Sequence, residues 1–191
     1  MTSMNPAVPA IAGPIGSGKT TTATLLAQRL GWPRHGYGDT IRAIATARGL
    51  PAGRSILQQL GVELTGAGWG TFTRLVLDHA RWAPGQALIL DGLRQLPAAT
   101  ALREAIAPLC GIIIYLDVPA STALTRARRR DRPTGSGAGN VRHATEFGLS
   151  TVRDHADLII QARELTPAQV AGQVICHLEA RLVRAPGGRC A

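Results

Sequence analysis

Short apolar runs alternate with longer stretches of helical spacing along most of the chain. The runs predict strands over Ala7–Ala12, Arg34–Tyr37, Ala87–Leu90, Gly111–Leu116 and Leu158–Gln161. Between them, Lys19–Leu30 reads as a helix with Leu25, Leu26 and Leu30 on one side, stopped by Gly31. Asp39 is placed to cap a helix running to about Arg48. Helices over Ser55–Leu64 and Thr71–Ala83 flank a turn at Gly66–Gly70, and Pro97–Ala107 forms another. Ser121–Arg130 is a basic helix, Thr145–His155 a further one, and Pro167–Val183 a last helix with proline in its first turn. Gly135–Asn140 reads as a flexible linker, and the tail 185–191 as disordered. Strands alternating with helices indicate an α/β fold around a parallel sheet.

Bulk properties narrow the class. The 191 residues suit one compact domain, with 45% hydrophobic and 17% charged residues. The sequence contains no apolar run near the roughly 20 residues that span a bilayer, and the first nine residues lack the pattern of a secretory signal. Cys110, Cys176 and Cys190 are scattered without metal spacing, which fits a reducing cytoplasm. The net charge of +9 admits nucleic acid, a membrane surface or anionic small substrates. Aromatics make up only 4% of the chain, too few to stack single strands, so anionic small substrates are favoured.

One basic residue stands apart. Lys19 is the only lysine, and the rest of the Lys+Arg total of 21 is arginine. It lies in Gly13-Pro14-Ile15-Gly16-Ser17-Gly18-Lys19-Thr20, which fits the phosphate-binding P-loop and joins a strand-like run to a helix as that motif requires. A slim ammonium fits a loop of backbone N–H groups where a planar guanidinium does not. Gly13, Ile15, Gly16, Ser17, Gly18, Lys19, Thr20 and Thr21 are thus the candidate donor-phosphate site, with the Thr20 hydroxyl as a Mg²⁺ ligand. Asp91, after Leu88-Ile89-Leu90, has the Walker-B layout and is the second Mg²⁺ candidate.

Further segments carry a resemblance. Gly38-Asp39-Thr40-Ile41-Arg42 looks like the G-D-x-x-R segment of adenylate kinase and related nucleoside monophosphate kinases. Asp91-Gly92-Leu93-Arg94 is similar to their D-G-[FY]-P-R segment without its proline. Tyr115 to Pro119, followed by Arg126, Arg129 and Arg130, resembles their strand and lid helix. Glu146, Gly148, Arg153, Ala156 and Asp157 resemble the dephospho-coenzyme A kinase side of the superfamily. The resemblance covers about residues 11–157 and implies a five-stranded parallel sheet of order 2-3-1-4-5, helices on both faces and a short lid at about 121–143. It implies an acceptor-binding lobe at about 39–84.

The resemblance also implies roles. Lys19 would act on ATP, and Arg126 and one of Arg128, Arg129 and Arg130, with Arg130 preferred, would come from the lid; Arg132, Arg142 and Arg153 are weaker candidates. Arg42, Arg94 and Arg74 would bind the acceptor. Asp39 would position magnesium waters if the acceptor offers a phosphate, or accept a proton if it offers a hydroxyl. Gln58, Gln59, Trp69 and Phe72 could line the acceptor lobe, although the two aromatics read more readily as core than as base-stacking residues. The expectation is a cytoplasmic ATP- and Mg²⁺-dependent kinase, monomer or homodimer, acting on a small phosphate acceptor. A nucleoside monophosphate leads, with a hydroxyl acceptor as alternative. A rival of another class is a nucleotide-dependent module that binds nucleic acid or protein without transfer.

Overall fold

The computed structural model describes residues 4–130 and 142–182, with the side chains of 127–130 and 142–147 outside that description. Five strands form one parallel sheet: β1 (Ala7–Ala12), β2 (Arg34–Gly36), β3 (Ile89–Leu93), β4 (Cys110–Asp117) and β5 (Leu158–Gln161). Their order is β2-β3-β1-β4-β5, as the resemblance implies. The helices are α1 (Lys19–Leu30), α2 (Tyr37–Ala47), α3 (Arg54–Gly66), α4 (Trp69–His79), α5 (Leu96–Ile106), α6 (Ala120–Arg130), α7 (Arg142–Asp154) and α8 (Pro167–Leu182).

Alternation along the strands builds two cores. Val8, Ala10 and Ala12 of β1 join Ile113 and Tyr115 of β4 on one face, under Phe72 and Val76 of α4, Leu102 and Ile106 of α5, and Leu149 and Val152 of α7. Ala7 and Ile11 join Ile112, Ile114 and Leu116 on the other, under Ala23 and Leu26 of α1 and Val174 and Leu178 of α8. Successive strand residues point to opposite faces, so a central parallel strand is apolar throughout. Each fully buried Leu or Ile contributes about 1.5–3 kcal/mol to that burial.

Two of the boundaries that differ from expectation bear on the site. α2 begins at Tyr37 with Gly36 as its N-cap, so Asp39 lies in the first turn instead of capping it. Tyr37 is buried and packs on Phe72 with ring centroids 5.9 Å apart, a tertiary contact that pulls the helix start forward. β3 continues through Asp91 to Leu93 instead of ending before the aspartate. Ile11 pairs with Asp91 but Ala12 with Leu93, so Gly92 is the extra residue of a bulge and takes φ 90°. Cys110 is disulfide-bonded and Cys176 free and exposed, so the cysteines do not carry the reading of a reducing compartment. The linker 135–140, Arg132 and the tail 185–191 lie outside the described residues, as do the side chains of Arg128, Arg129, Arg130, Arg142 and Glu146.

Candidate active site

The site forms where β1, β2 and β3 end, the edge at which parallel sheets bind ligands. β1 runs directly into the loop 13–18, and α1 starts at Lys19. Gly13 (φ 138°), Gly16 (φ 86°) and Gly18 (φ 91°) take positive-φ conformations that glycine adopts without strain. Lys19 is only 8% exposed, and its Nζ donates to Gly13 O at 2.9 Å and Pro14 O at 2.7 Å. The ammonium is therefore hydrogen-bonded by the first two residues of its own loop, which offsets its desolvation. Ser17 is buried, and its Oγ has no partner. Thr20 and Thr21 are exposed in the first turn of α1, where the helix end favours negative charge.

Asp91 lies one strand away, level with Ile11 and also paired with Gly36 of β2. It is 7% exposed, and its Oδ1 is buried without a partner. Its Oδ2 accepts from Arg34 Nη1 at 3.4 Å. A buried carboxylate oxygen without a donor calls for a cation or water. Among the described residues no group of three His, Cys, Asp or Glu could form a protein cage for a metal. One buried carboxylate and one exposed hydroxyl suit Mg²⁺, which takes most of its ligands from phosphates and water.

Asp39 is the hub of the acceptor side. Its Oδ2 accepts from Arg34 Nη2 at 3.3 Å and its Oδ1 from Arg42 Nη2 at 2.5 Å. Burial alone would raise its pKa. The Arg42 hydrogen bond, then the Arg34 and Arg42 charges and the Gly36 N–H, outweigh burial and hold the carboxyl below its ordinary value. Close approach explains both neighbouring glycines. A Cβ at residue 36 would lie 2.7 Å from Asp39 Oδ2, and one at residue 38 would lie 3.3 Å from Arg42 Nη1.

The structure thus brings together Asp39, Arg42 and Asp91, and adds Arg34, which the sequence alone does not single out. Arg34 and Gly36 point to one side of β2, a two-residue period visible in the sequence. The Gly36–Asp91 pairing that gives the period meaning is not. Arg94 is half-buried in the turn between β3 and α5, directly after the bulge. Gln95 beside it meets α7, since a Cβ on Gly148 would collide with Gln95 Oε1. Arg74 is exposed on α4 and makes no hydrogen bond or ion pair to Asp39 or Asp91. Arg126 Nη2 donates to Arg163 O at 3.1 Å, which fastens α6 to the segment after β5. Arg153 donates to Asp117 at the end of β4, at 3.1 and 3.2 Å. Gln58 and Gln59 are exposed on α3, whereas Phe72 belongs to the core with Trp69 against it.

Comparison with known proteins agrees with this geometry. The AAA domain family model AAA_18 matches residues 10–145. A UPF0200 protein of Aeropyrum pernix is 31% identical over 133 residues, covering 69% of each chain. An adenylate kinase of Syntrophotalea carbinolica is 32% identical over 159 residues, covering 76% of this chain and 67% of that one. Among solved structures, shikimate kinase from Aquifex aeolicus superposes with a TM-score of 0.58 at 18% identity, covering 93% of this chain and 99% of that one. The APS kinase of Mycobacterium tuberculosis gives 0.54 at 16%, with the same coverage. These two share the fold. No helix among the described residues is long and apolar enough to cross a membrane. The chain belongs to the AAA_18 family of P-loop domains, among the ATP-dependent small-molecule kinases.

Proposed function

We propose that the acceptor of this kinase is a nucleoside monophosphate. The observation that carries the reading is the tether of Arg42 to Asp39. Asp39 fixes one nitrogen of the guanidinium at the first turn of α2, and Gly38 leaves room beside the other. Arg42 remains 58% exposed. An oriented, partly open guanidinium at a helix N-terminus is a good receptor for a phosphate, which takes bidentate contacts from such a fork. Arg94, on the turn after Asp91, is the second phosphate-binding candidate. Arg74, on the exposed side of α4, ranks after it. The 32% identity to an adenylate kinase supports the same class.

In this reading Lys19 and the backbone of Gly13, Ile15, Gly16, Ser17, Gly18, Thr20 and Thr21 cradle the donor phosphates. The Thr20 hydroxyl and Asp91 would hold Mg²⁺. That ion would supply charge neutralisation for the donor phosphates. The bond from the γ-phosphorus to its bridging oxygen breaks, a bond to the acceptor oxygen forms, and ADP leaves. Arg126 and Arg130 are proposed to neutralise the transferring group. For Arg126 this requires leaving Arg163 O, an exchange open to a side chain on a lid. The acceptor lobe 39–84 and the lid 121–143 are the proposed moving parts of one domain.

A hydroxyl acceptor is the second reading. Asp39 favours it, because a carboxylate held ionised can accept a hydroxyl proton. The deciding experiment is ADP release with nucleoside monophosphates, nucleosides and dephospho-coenzyme A in turn. Turnover with a monophosphate, and a raised KM for it in Arg42→Ala, is expected. Turnover with hydroxyl acceptors alone overturns the phosphate reading. Lys19→Ala should lower kcat/KM by about 10²–10³, the usual effect of losing one preorganised charge-stabilising donor. Unchanged turnover in that variant removes Lys19 from the mechanism.

A further inference from the structure

Arg34 has no part in the reading above, yet its side chain touches both acids of the site. It stands on β2 two residues before Gly36, on the same side of the strand. Gly36 pairs with Asp91 and carries no side chain, and a Cβ there would lie 2.7 Å from Asp39 Oδ2, so the glycine keeps the space beside the acids open. Nη1 reaches Asp91 Oδ2 at 3.4 Å and Nη2 reaches Asp39 Oδ2 at 3.3 Å. The guanidinium side chain is 26% exposed, and that of Asp91 9%. The usual fork grips one carboxylate with two nitrogens. Here one fork is divided between two carboxylates, and both contacts are longer than the common hydrogen-bond range.

We propose that Arg34 is a positioning residue that sets how tightly the nucleotide-free enzyme takes a divalent cation. The inference rests on the kinase reading only in treating Asp91 as the metal-facing acid. Two neighbouring carboxylates repel, and each gains from a proton or a cation nearby. Arg34 supplies one positive charge to both. A bare divalent cation must therefore work against a fixed guanidinium that already offsets part of the pair's negative charge. A cation carried by nucleotide phosphates brings its own ligands and depends less on the two acids. Arg34 thus biases the site toward the metal–nucleotide complex over free metal. The long contacts suit this task, because they can yield without breaking a strong fork.

The test uses Mn²⁺ alone as the probe. Free Mn²⁺ is counted by its paramagnetic resonance signal while the full-length enzyme, without nucleotide, is titrated. Arg34→Gln removes the charge and should tighten Mn²⁺ binding roughly tenfold or more, the change expected for one nearby charge screened almost as in water. Adding Asp91→Asn to that variant should abolish the gain. Affinity unchanged or weakened in Arg34→Gln, with circular dichroism showing a folded chain, overturns the proposal, as does a gain that survives Asp91→Asn. Should Arg34→Gln not fold, Arg34→Lys carries the test. A single ammonium reaches one carboxylate and leaves the other open, so binding should tighten about threefold, and wild-type affinity overturns the idea. A merely structural arginine would change melting temperature without moving Mn²⁺ affinity in this direction. Because neither nucleotide nor acceptor is present, failure here is separate from failure of the kinase reading, which shows as absent ADP release.

Discussion

Gly13 is the residue at which the fold and the phosphate site press on each other most directly. A Cβ there would lie 2.7 Å from Leu116 O, a backbone atom of β4, and 3.0 Å from Ser17 Oγ. The positive φ adds strain for any L side chain. Backbone held in a sheet cannot step aside as a flexible side chain can. Gly13→Ala should therefore destabilise by more than the 1 kcal/mol or so of an ordinary conflict of this kind. It should also weaken ATP binding, because Gly13 O accepts a hydrogen bond from Lys19 Nζ. Gly18 is the control. It has φ 91°, but a Cβ there would meet nothing within 4 Å, so Gly18→Ala incurs only the backbone penalty, about 1–2 kcal/mol. Urea unfolding and ATP titration of the two variants check this, and equal losses in both would remove the Leu116 contact from the explanation.

At the scale of elements, the junction of β2 and α2 carries the site and also a pH dependence. His35 Nε2 lies 2.7 Å from Thr40 Oγ1, so the strand is pinned to the helix that follows it. Burial lowers the pKa of His35 below 6.5; Asp39 opposes that shift, while His79 and Arg34 add to it. Above pH 6.5 the ring is neutral in folded and unfolded chains alike, and no stability is at stake. As pH falls below 6.5 the unfolded chain takes up the proton first, so stability declines until the folded pKa is passed. His177 is lowered too, chiefly by burial, and contributes to the same decline. His35→Gln should thus lose less stability than wild type between pH 7.5 and 5, read from urea midpoints, and parallel losses would clear His35. The same junction shows what was legible in the sequence. β1, β4 and α1 were readable because apolar runs and a stop glycine mark them locally. The start of α2 was not, because it depends on Tyr37 packing against Phe72, 35 residues away in sequence. The end of β3 was hidden for a similar reason, since the bulge at Gly92 exists only relative to β1. Lys19, Thr20, Asp39, Arg42 and Asp91 stood out through motif and order. Arg34 did not, because a single arginine in so arginine-rich a chain carries no signal until the register places Gly36 opposite Asp91.

For the whole molecule, the sheet separates chemistry from stability. The phosphate loop, Asp39 and Arg94 gather beyond the carboxyl ends of the strands, while Asp157 stands just before β5 at the opposite end. Asp157 Oδ2 accepts from Ile113 N at 2.8 Å and from Arg103 Nη2 at 2.7 Å, and Oδ1 accepts from Arg181 Nη1 at 2.9 Å. Arg103 belongs to α5 and Arg181 to α8, whose apolar sides pack on opposite faces of the sheet. One carboxylate therefore ties both outer layers to the central strand β4. Its loss leaves two arginines that still reach water, at 43% and 32% exposure, and one backbone N–H that does so less easily. The cost of Asp157→Ala is then set mainly by the unpaired N–H and two weakened charge contacts, about 1–3 kcal/mol. For a chain of this size that corresponds to a melting temperature lower by roughly 2–4 °C per kcal/mol. ATP affinity at a temperature where both proteins are fully folded should not change, because the bonds of Asp157 run to Ile113, Arg103 and Arg181 and not to the loop or the acids. A thermal melt and an ATP titration on the same sample separate the two effects. Weakened ATP binding by the folded variant would mean that α5 and α8 hold the phosphate site in place through the sheet, and that the two ends are not independent.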